Sequence, residues 1–489
     1  MHIMTRAAIF VLLLSATSAF SADSSEKPNI VFILADDLGW RDLKCYGSSF
    51  YQTPNVDKLA QRGMRFVNAY AANPLCSPTR ASLLTGQYPG RLRFTTPAGH
   101  LRRVVLNPSL RKTAPPTVKA LIPESRTRLP LEYFTLAEAL KEDGYRTAHF
   151  GKWHLGWEPY SPEKQGFEVN MPGGSYPGPP RGYFAPHKAE GFKDGPKGEH
   201  IEDRMTAEAT RFMKSNRDRR FFLNYWMFSV HAPFQAKENL IQKYRKGSDP
   251  KKLQKSPVMG GMIHTMDACV GRLVQAIEDL KLSRKTLLLF FSDNGGNMYN
   301  KVEGGTPTNN APLRGGKATI YEGGVRVPFI AVWPGKIKAG SMNESIVSSI
   351  DFYPTLLELV GRKPKKNQIL DGQSILSTLI SGKKLERDTY FCHFPHYTPA
   401  TGNLPSTSVR RGDWKLIRFF ADGPKQEDRF ELYNLAADIG ESKNLADSKP
   451  DLVKELNALI TQHLKETKAL IPIKNPAYDP KAVPSRVGG

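Results

Sequence analysis

Continuous, mostly apolar segments recur along the chain, and the ends of four of them carry residues that can take part in chemistry. These four segments cover residues 29–34, 145–150, 221–230 and 286–292, and a fifth apolar stretch covers residues 325–333. Apolar runs without a strict polar alternation are typical of strands that are buried on both faces of a parallel sheet. We therefore expect these segments to be strands of one buried sheet.

Helical patterns lie between the apolar segments, most clearly at residues 56–62, 136–142 and 262–280. Strands that alternate with helices indicate an α/β fold, in which a mostly parallel sheet is covered by helices on both faces. Such sheets bind ligands beyond the carboxyl ends of their strands. The polar residues that follow the predicted strands should therefore share one site: Asp36, Asp37, Lys152, His154, His231, Asp293 and Asn294.

The pattern changes near residues 383–388, where we place a domain boundary. The predicted catalytic domain covers residues 27–385, and a smaller α+β domain covers residues 386–489. The smaller domain is predicted to contain antiparallel strands and a terminal helix, at residues 409–420, 430–433 and 449–467 respectively.

Two long stretches lack periodicity and are rich in Pro, Gly or basic residues, at 95–128 and 171–200. Loops of this length usually carry function or are mobile. We expect both loops to rim the substrate pocket.

The first residues have the pattern of a secretory signal peptide, which we assign to residues 1–21. Arg6 supplies a positive charge, residues 7–14 form a short apolar core, and Ala19 and Ser21 flank a plausible cleavage site. The apolar core is too short to span a bilayer, and no later segment has the pattern of a transmembrane helix. We therefore expect an exported protein, periplasmic or extracellular, without a membrane span.

The formal net charge of the chain is +22, which favours acidic partners. Nucleic acids, anionic membrane surfaces and acidic polysaccharides all attract a basic protein. The chain contains no recognisable nucleic-acid-binding motif, and its basic residues are scattered rather than arranged in a stripe, so we predict no nucleic-acid partner. An acidic substrate and a merely solvated basic surface both remain consistent with the charge.

Four cysteines occur, at Cys45, Cys76, Cys269 and Cys392, and they are far apart. The absence of a CxxC pair argues against a zinc or redox motif, and the low cysteine density argues against a disulfide framework. The pairing of Cys45, Cys269 and Cys392 stays open. If Cys76 is modified, at least one of these three should be unpaired.

The segment at residues 73–90 reads NPLCSPTRASLLTGQYPG. Its core, from Cys76 through Pro78 and Arg80 to Gly86, is similar to the signature of type I sulfatases, which belong to the alkaline phosphatase-like superfamily. The resemblance extends over nearly all of the chain after the signal peptide, and the sequence resembles bacterial arylsulfatases and carbohydrate sulfatases. It implies a large mixed, mostly parallel sheet between helices and a smaller C-terminal domain.

The same resemblance implies that Cys76 is converted to formylglycine (3-oxoalanine), an aldehyde, by a formylglycine-generating enzyme or an anaerobic sulfatase-maturating enzyme. A hydrated aldehyde carries two hydroxyl groups on one carbon. One can attack sulfur, and the other can then lose its proton and expel sulfate, which divides one difficult step into two. Pro78 suits the first turn of a helix, so Cys76 should lie at a helix N-terminus, where backbone N–H groups favour anions.

Hard oxygen ligands suit Ca²⁺ or Mg²⁺ better than zinc, which prefers histidine and cysteine. Asp36, Asp37, Asp293 and Asn294 supply such ligands after two predicted strands. The resemblance implies that these residues, with the residue made from Cys76, bind calcium. It also implies that Asp293 can accept a proton from the attacking hydroxyl.

Five further residues match the family's catalytic positions: Arg80, Lys152, His154, His231 and Lys317. The resemblance implies that Arg80 orients formylglycine, that Lys152 contacts a sulfate oxygen and that His154 takes the proton of the second hydroxyl. It implies that His231 and Lys317 flank the sulfate and the bridging oxygen, where either could protonate the leaving group. Alone, each of these residues would be an ordinary surface or core side chain.

The resemblance implies hydrolysis of sulfate monoesters on a sulfated carbohydrate, with galactose or N-acetylgalactosamine sulfates favoured. Candidate specificity residues lie in the first long loop and in the terminal domain: Arg102, Arg103, His393, His396 and Tyr397. Two other functions stay open. One is a formylglycine-dependent phosphodiester or phosphonate monoester hydrolase, and the other is an inactive protein that binds acidic glycans.

Overall fold

The computed structural model describes residues 27–249 and 251–482 of the chain, so the predicted signal peptide lies outside the described residues. The described strands are β1 Asn29–Ala35, β2 Met64–Phe66, β3 Ala69–Tyr70, β4 Ala120–Leu121, β5 Arg146–Gly151, β6 Val169–Met171, β7 Phe221–Trp226, β8 Thr286–Ser292, β9 Phe329–Val332, β10 Ser341–Asn343, β11 Val347–Ser348, β12 Thr389–Phe394, β13 Ser406–Arg411, β14 Trp414–Phe419, β15 Arg429–Asn434 and β16 Ile473–Lys474.

The described α-helices alternate with the strands in the first three quarters of the chain. They are α1 Pro54–Arg62, α2 Cys76–Thr85, α3 Pro89–Leu92, α4 Leu136–Glu142, α5 Ile201–Ser215, α6 Glu238–Lys246, α7 Pro257–Asp279, α8 Glu322–Val325, α9 Phe352–Leu359, α10 Leu376–Ser381 and α11 Pro450–Glu466.

An eight-stranded sheet forms the centre of the larger domain, with the strand order β10-β2-β9-β8-β1-β7-β5-β6. β1 is parallel to both of its neighbours, so that Ile30 lies opposite Phe222 on one side and Leu287 on the other. β9 is antiparallel to β8 and to β2, which makes the sheet mixed but mostly parallel. Every residue of β1 and β8 is buried. The predicted α/β fold class is confirmed.

Helices cover both faces of this sheet. Successive side chains of a strand point to opposite faces, so a strand that is buried throughout needs a cover on each face. Ile30, Phe32 and Leu34 of β1 pack into the apolar cluster that includes side chains of α2, α4 and α9. The alternate residues of β1 pack into a second cluster, which includes side chains of α1, α5 and α7. The central strand β1 is therefore packed against an apolar core on each face of the sheet.

A four-stranded antiparallel sheet, in the order β12-β13-β14-β15, forms the smaller domain, and α11 packs on it. The prediction of one strand over residues 409–420 is wrong: this stretch lies in two strands, β13 and β14, which pair with each other. Gly412, with φ of 56°, lies in the turn between them. Gly-Asp between two strand-forming stretches is the pattern of a tight hairpin turn, and it divides the predicted single strand in two.

Two other boundaries differ from the prediction. β7 ends at Trp226 instead of Val230, so His231 lies in the turn beyond the strand and not at its end. The fifth apolar stretch forms only the short strand β9, and its first residue, Val325, is the last residue of α8. The exact division of the chain at residues 385 and 386 stays a prediction.

Within residues 27–249 and 251–482, no helix combines the length and the apolar composition that are needed to cross a bilayer.

A buried ionic cluster joins the two domains. Nζ of Lys415, in β14, lies 3.0 Å from Oε1 of Glu322 in α8 and 2.9 Å from Oε1 of Glu441. Lys415 is 1% exposed and both carboxylates are fully buried. Removal of one member of such a cluster leaves uncompensated charge in the interior.

We therefore expect Lys415→Met to lower the free energy of unfolding by about 3–5 kcal/mol, because Glu322 and Glu441 lose their shared cation. Urea denaturation measures this change. Arg411→Gln is the matched control, since Arg411 forms a more exposed ion pair with Glu455 and its loss should cost about 0–1 kcal/mol. Equal stability of the two variants would contradict a stabilising role for the buried cluster.

Candidate active site at the carboxyl edge of the sheet

The carboxyl ends of β1, β5 and β8 meet at one edge of the large sheet. Asp36 and Asp37 follow β1, Lys152 follows β5, and Asp293 and Asn294 follow β8. The backbone N–H of Asp293 donates to the carbonyl of Ala35 at 3.1 Å, so the two acidic ends are directly joined. The predicted strand-end residues are thus brought together.

Cys76 is the first residue of α2, as the position of Pro78 predicts, and it is 1% exposed. Burial raises the pKa of its thiol to about 12, although the positive charges of Lys152 and Lys317 act in the opposite direction. The thiol is therefore protonated at neutral pH. A protonated thiol is a poor nucleophile, so the encoded side chain is unsuited to attack an ester.

Asp37 lies at the centre of the site. Its Oδ1 accepts a hydrogen bond from Nδ2 of Asn294 at 2.8 Å, and its Oδ2 accepts one from Nζ of Lys317 at 2.7 Å. Nε2 of His231 lies 3.8 Å from the same Oδ2. Ligand atoms of Asp36, Asp37, Cys76 and His231 all lie within 4.8 Å of one another. His231, which was predicted to flank the sulfate, thus belongs to this cluster.

The positive side chains of Lys152 and Lys317 lie against the carboxylates of Asp36 and Asp37. Nζ of Lys152 donates to Oδ2 of Asp36 at 2.6 Å. Burial lowers the pKa of Lys317, but the attraction of Asp37 outweighs it and holds that pKa well above its ordinary value. The same pairing acts on Asp37: burial raises the pKa of its carboxyl, and the positive charges of Lys317 and Lys152 bring that pKa well below its usual range. Both members of this pair are therefore charged at neutral pH.

Arg80 is fully buried and ties α2 to the strand ends. Its Nε and Nη2 donate to Oδ2 of Asp293 at 2.9 Å and 2.8 Å, and its Nη1 donates to the carbonyl of Lys152 at 2.6 Å. The guanidinium also lies 5.1 Å from the ring centre of Trp226. Arg80 can therefore fix the start of α2, and Cys76 with it, relative to Asp293.

Two buried oxygen atoms in the cluster have no hydrogen-bond partner among the described residues, Oδ1 of Asp36 and Oδ1 of Asn294. A buried polar atom without a partner is costly and requires an explanation, such as a bound ion. Burial and the nearby charge of Asp36 also raise the pKa of Asp293 to about 6, even though Arg80 opposes this. A hard divalent cation such as Ca²⁺ would bind the two unpartnered oxygens and would stabilise the carboxylate form of Asp293. These residues therefore fit the ion that the sequence predicts.

His154 adjoins the site and has a partner that sequence reasoning missed. Its Nε2 lies 2.9 Å from Nδ1 of His100, and its carbonyl accepts a hydrogen bond from Oγ of Ser77 at 2.7 Å. Nδ1 of His154 is buried and has no partner among the described residues. A single histidine in a loop without periodicity carries no spacing signal that could have indicated His100.

The five candidate specificity residues form contacts within the protein. His393 contacts Thr407 and the carbonyl of Leu470, His396 contacts Thr95, and Tyr397 accepts from the N–H of Ala120. Arg103 pairs with Glu124, and Arg102 lies over the ring of Trp157 at 3.6 Å. A substrate role for these five residues stays a prediction.

All four cysteines are free, and Cys45 is the most exposed of them.

Two family models match the chain. The model described as Sulfatase covers residues 28–362, and the one described as N-sulphoglucosamine sulphohydrolase, C-terminal, covers residues 316–469. The chain therefore belongs to the sulfatase family. Sulfatases are sulfuric ester hydrolases, and the protein is an enzyme of that class.

Individual relatives agree with this assignment. The chain is 33% identical over 412 residues to N-acetylgalactosamine-6-sulfatase of Mus musculus, which covers 79% of this chain and 73% of that protein. It is 33% identical over 527 residues to a sulfatase of Formosa agariphila, with 92% and 91% covered. The solved structure of Ps i-CgsB in complex with k-i-k-neocarrahexaose has a TM-score of 0.73 and 28% identity, and covers 90% of this chain and 93% of that chain.

Proposed function

We propose that this enzyme hydrolyses sulfate monoesters of a sulfated carbohydrate of the galactose or N-acetylgalactosamine type, with residue 76 in the formylglycine form and Ca²⁺ at the strand ends. One observation carries the proposal above all: the buried first residue of α2, Cys76, lies with Asp36, Asp37 and His231 in one cluster of ligand atoms within 4.8 Å. The encoded thiol, protonated at neutral pH, needs conversion before it can act.

The metal would be held by Asp36, Asp37, Asp293, Asn294 and the converted residue 76. When bound, calcium would withdraw negative charge from a sulfate oxygen and from the hydroxyl of residue 76. The Oδ1 atoms of Asp36 and Asn294 support this assignment, because they are buried oxygens that have no hydrogen-bond partner among the described residues.

A sulfate ester bound at the start of α2 would face Lys152 and Lys317. The formylglycine hydrate would supply the attacking hydroxyl and a second hydroxyl through which sulfate can be released. Two buried ammonium groups and the N-terminal N–H groups of α2 would stabilise the charge that gathers on the sulfate oxygens in the transition state. Arg80, through its bonds to Asp293 and to the Lys152 carbonyl, would hold residue 76 in place.

Three groups can move protons in this arrangement. Asp293 would accept the proton of the attacking hydroxyl, and His154 would accept that of the second hydroxyl at its Nδ1. Burial together with Lys317 and Lys152 lowers the pKa of His231 to about 3, so that its ring is neutral. Lys317 stays protonated and is thus the better candidate to protonate the leaving oxygen, with His231 as a hydrogen-bonding neighbour.

A sulfated carbohydrate substrate is supported by the relatives and by charge. The Mus musculus relative is named for N-acetylgalactosamine-6-sulfate chemistry, and the Ps i-CgsB structure was solved with a neocarrahexaose. The net charge of +22 favours an acidic polymer over a neutral one. We further propose that the protein is exported to the periplasm or beyond, and that a formylglycine-generating or anaerobic sulfatase-maturating enzyme is its partner in maturation.

Activity on a substrate panel tests this proposal. The converted enzyme should hydrolyse galactose or N-acetylgalactosamine with sulfate at O4 or O6, as measured by sulfate release. Cys76→Ala, or wild type made without a maturating enzyme, should fold normally and lose activity by roughly 10³-fold or more, as when a nucleophile is removed.

Other results on the same panel would contradict the proposal. Hydrolysis of a phosphodiester or phosphonate monoester without sulfate release would support the phosphodiesterase alternative. Binding of sulfated glycans by converted enzyme without any hydrolysis would indicate an inactive glycan-binding protein. Activity on aryl sulfates alone would argue against the carbohydrate assignment.

Calcium binding should depend on pH, because burial raises the pKa of Asp293 to about 6 and the metal requires its carboxylate form. Above that pH the carboxylate is available, and below it a proton competes with the metal. We expect the association constant to fall by up to about tenfold for each pH unit below about 6. Calorimetric titration of the protein with Ca²⁺ at about pH 7.5 and about pH 5 measures this.

Asp293→Asn should weaken calcium binding and remove most of its pH dependence. Asp42→Asn is the matched control, since burial also raises the pKa of Asp42 to about 6 but this residue lies outside the predicted ligand set. The calcium affinity could instead be the same at both pH values, or could change as much in Asp42→Asn as in Asp293→Asn. Either result would show that Asp293 is not a calcium ligand.

A further inference from the structure

His154 and His100 form a contact that none of the roles above uses. Nε2 of His154 lies 2.9 Å from Nδ1 of His100, and the ring centres are 5.1 Å apart. His154 is 1% exposed, whereas His100 is partly exposed at the edge of the site. The opposite nitrogen of His154, Nδ1, is buried without a partner among the described residues.

The loop that carries His100 is fixed tightly against His154. A Cβ atom on Gly99 would lie 1.8 Å from the carbonyl oxygen of His154, so only glycine allows this approach. Oγ of Ser175 donates to the carbonyl of Gly99 at 2.9 Å, and Nε1 of Trp157 donates to the carbonyl of His100 at 2.7 Å. The backbone that carries His100 is therefore fixed at the carbonyls of Gly99 and His100, and the ring of His100 contacts that of His154.

The proton arrangement of the pair follows from its surroundings. Burial, together with Lys152 and the other ring, lowers the pKa of His154 well below its usual value, and burial also lowers that of His100. Both rings are then neutral at neutral pH, with one N–H each. The positive charges of Lys152 and Arg80 act on the His154 ring. A buried nitrogen in positive surroundings is more stable with a lone pair than with an N–H.

We propose that His100 is a positioning residue for His154: its Nδ1 accepts the Nε2–H of His154, which leaves the buried Nδ1 of His154 unprotonated and aimed as a base. This inference rests on the proposed function, in which His154 takes a proton as sulfate leaves. When His154 gains that proton at Nδ1, it becomes an imidazolium that still donates its Nε2–H to the neutral His100 ring. The neutral acceptor thereby stabilises the charged form, as partners of catalytic histidines do.

The tautomer can be measured without catalysis. In ¹⁵N-histidine NMR of the unconverted protein, with signals assigned by His154→Ala and His100→Ala, we expect His154 to carry its proton on Nε2 and His100 to show an unprotonated, hydrogen-bonded Nδ1. A His154 ring that carries its proton on Nδ1 would overturn the inference, because that nitrogen could not then act as a base.

Kinetics of the converted enzyme give the second readout. His100→Ala should lower kcat by about 10- to 100-fold with little change in KM, which is the usual cost of losing a partner that orients an imidazole. His100→Asn should keep kcat within about threefold of wild type, because its amide oxygen can accept the same N–H. His264→Ala, which removes a half-buried histidine of α7 that contacts Tyr244, is the matched control and should be as active as wild type.

Full activity of His100→Ala, or equal losses in His100→Ala and His100→Asn, would overturn the positioning role. Different results would refute the proposed function and the role of His100. Absence of sulfate release by converted wild type on every ester would refute the proposed function, whereas an active wild type with an indifferent His100→Ala would refute this inference alone.

Discussion

The pairing of three buried carboxylates with three buried cations at one sheet edge is the interaction on which the rest of the site depends. Asp36 pairs with Lys152, Asp37 with Lys317 and Asp293 with Arg80. Buried charges of this kind persist only when each has a partner, since the interior solvates them poorly. Because the six charges balance, a bound divalent cation would make the site positive, and a positive site attracts an anionic ester.

This constraint explains why the fold is arranged as it is. Parallel strands bring their carboxyl ends to one edge, so residues that are far apart in sequence supply the carboxylates and Lys152. α2 then places its first residue, Cys76, against the same edge, and Arg80 one turn later reaches Asp293. The second domain contributes through Lys415, which pairs with Glu322, a residue five positions after Lys317 in the chain.

Much of this site could be predicted from sequence because its parts have local patterns. Apolar strands that end in acidic residues and a helix that starts at Cys76 are both visible in the order of residues. The hairpin at Gly412 differs from the prediction because the turn between its two strands has only two residues, and β7 ends four residues before the predicted end although the apolar run continues past it. No local sequence pattern indicates the contact of His100 with His154, since only the packing of Gly99 on His154 brings the two rings together.

The proposed chemistry depends most on the conversion of Cys76, which makes the encoded thiol a precursor and not the nucleophile itself. Mass spectrometry of the tryptic peptide that ends at Arg80, from active enzyme, tests this directly. We expect a residue 76 in which oxygen has replaced sulfur with the loss of two hydrogens, and an aldehyde that reacts with hydrazides. A fully active enzyme whose Cys76 peptide carries an unmodified thiol would contradict this conversion.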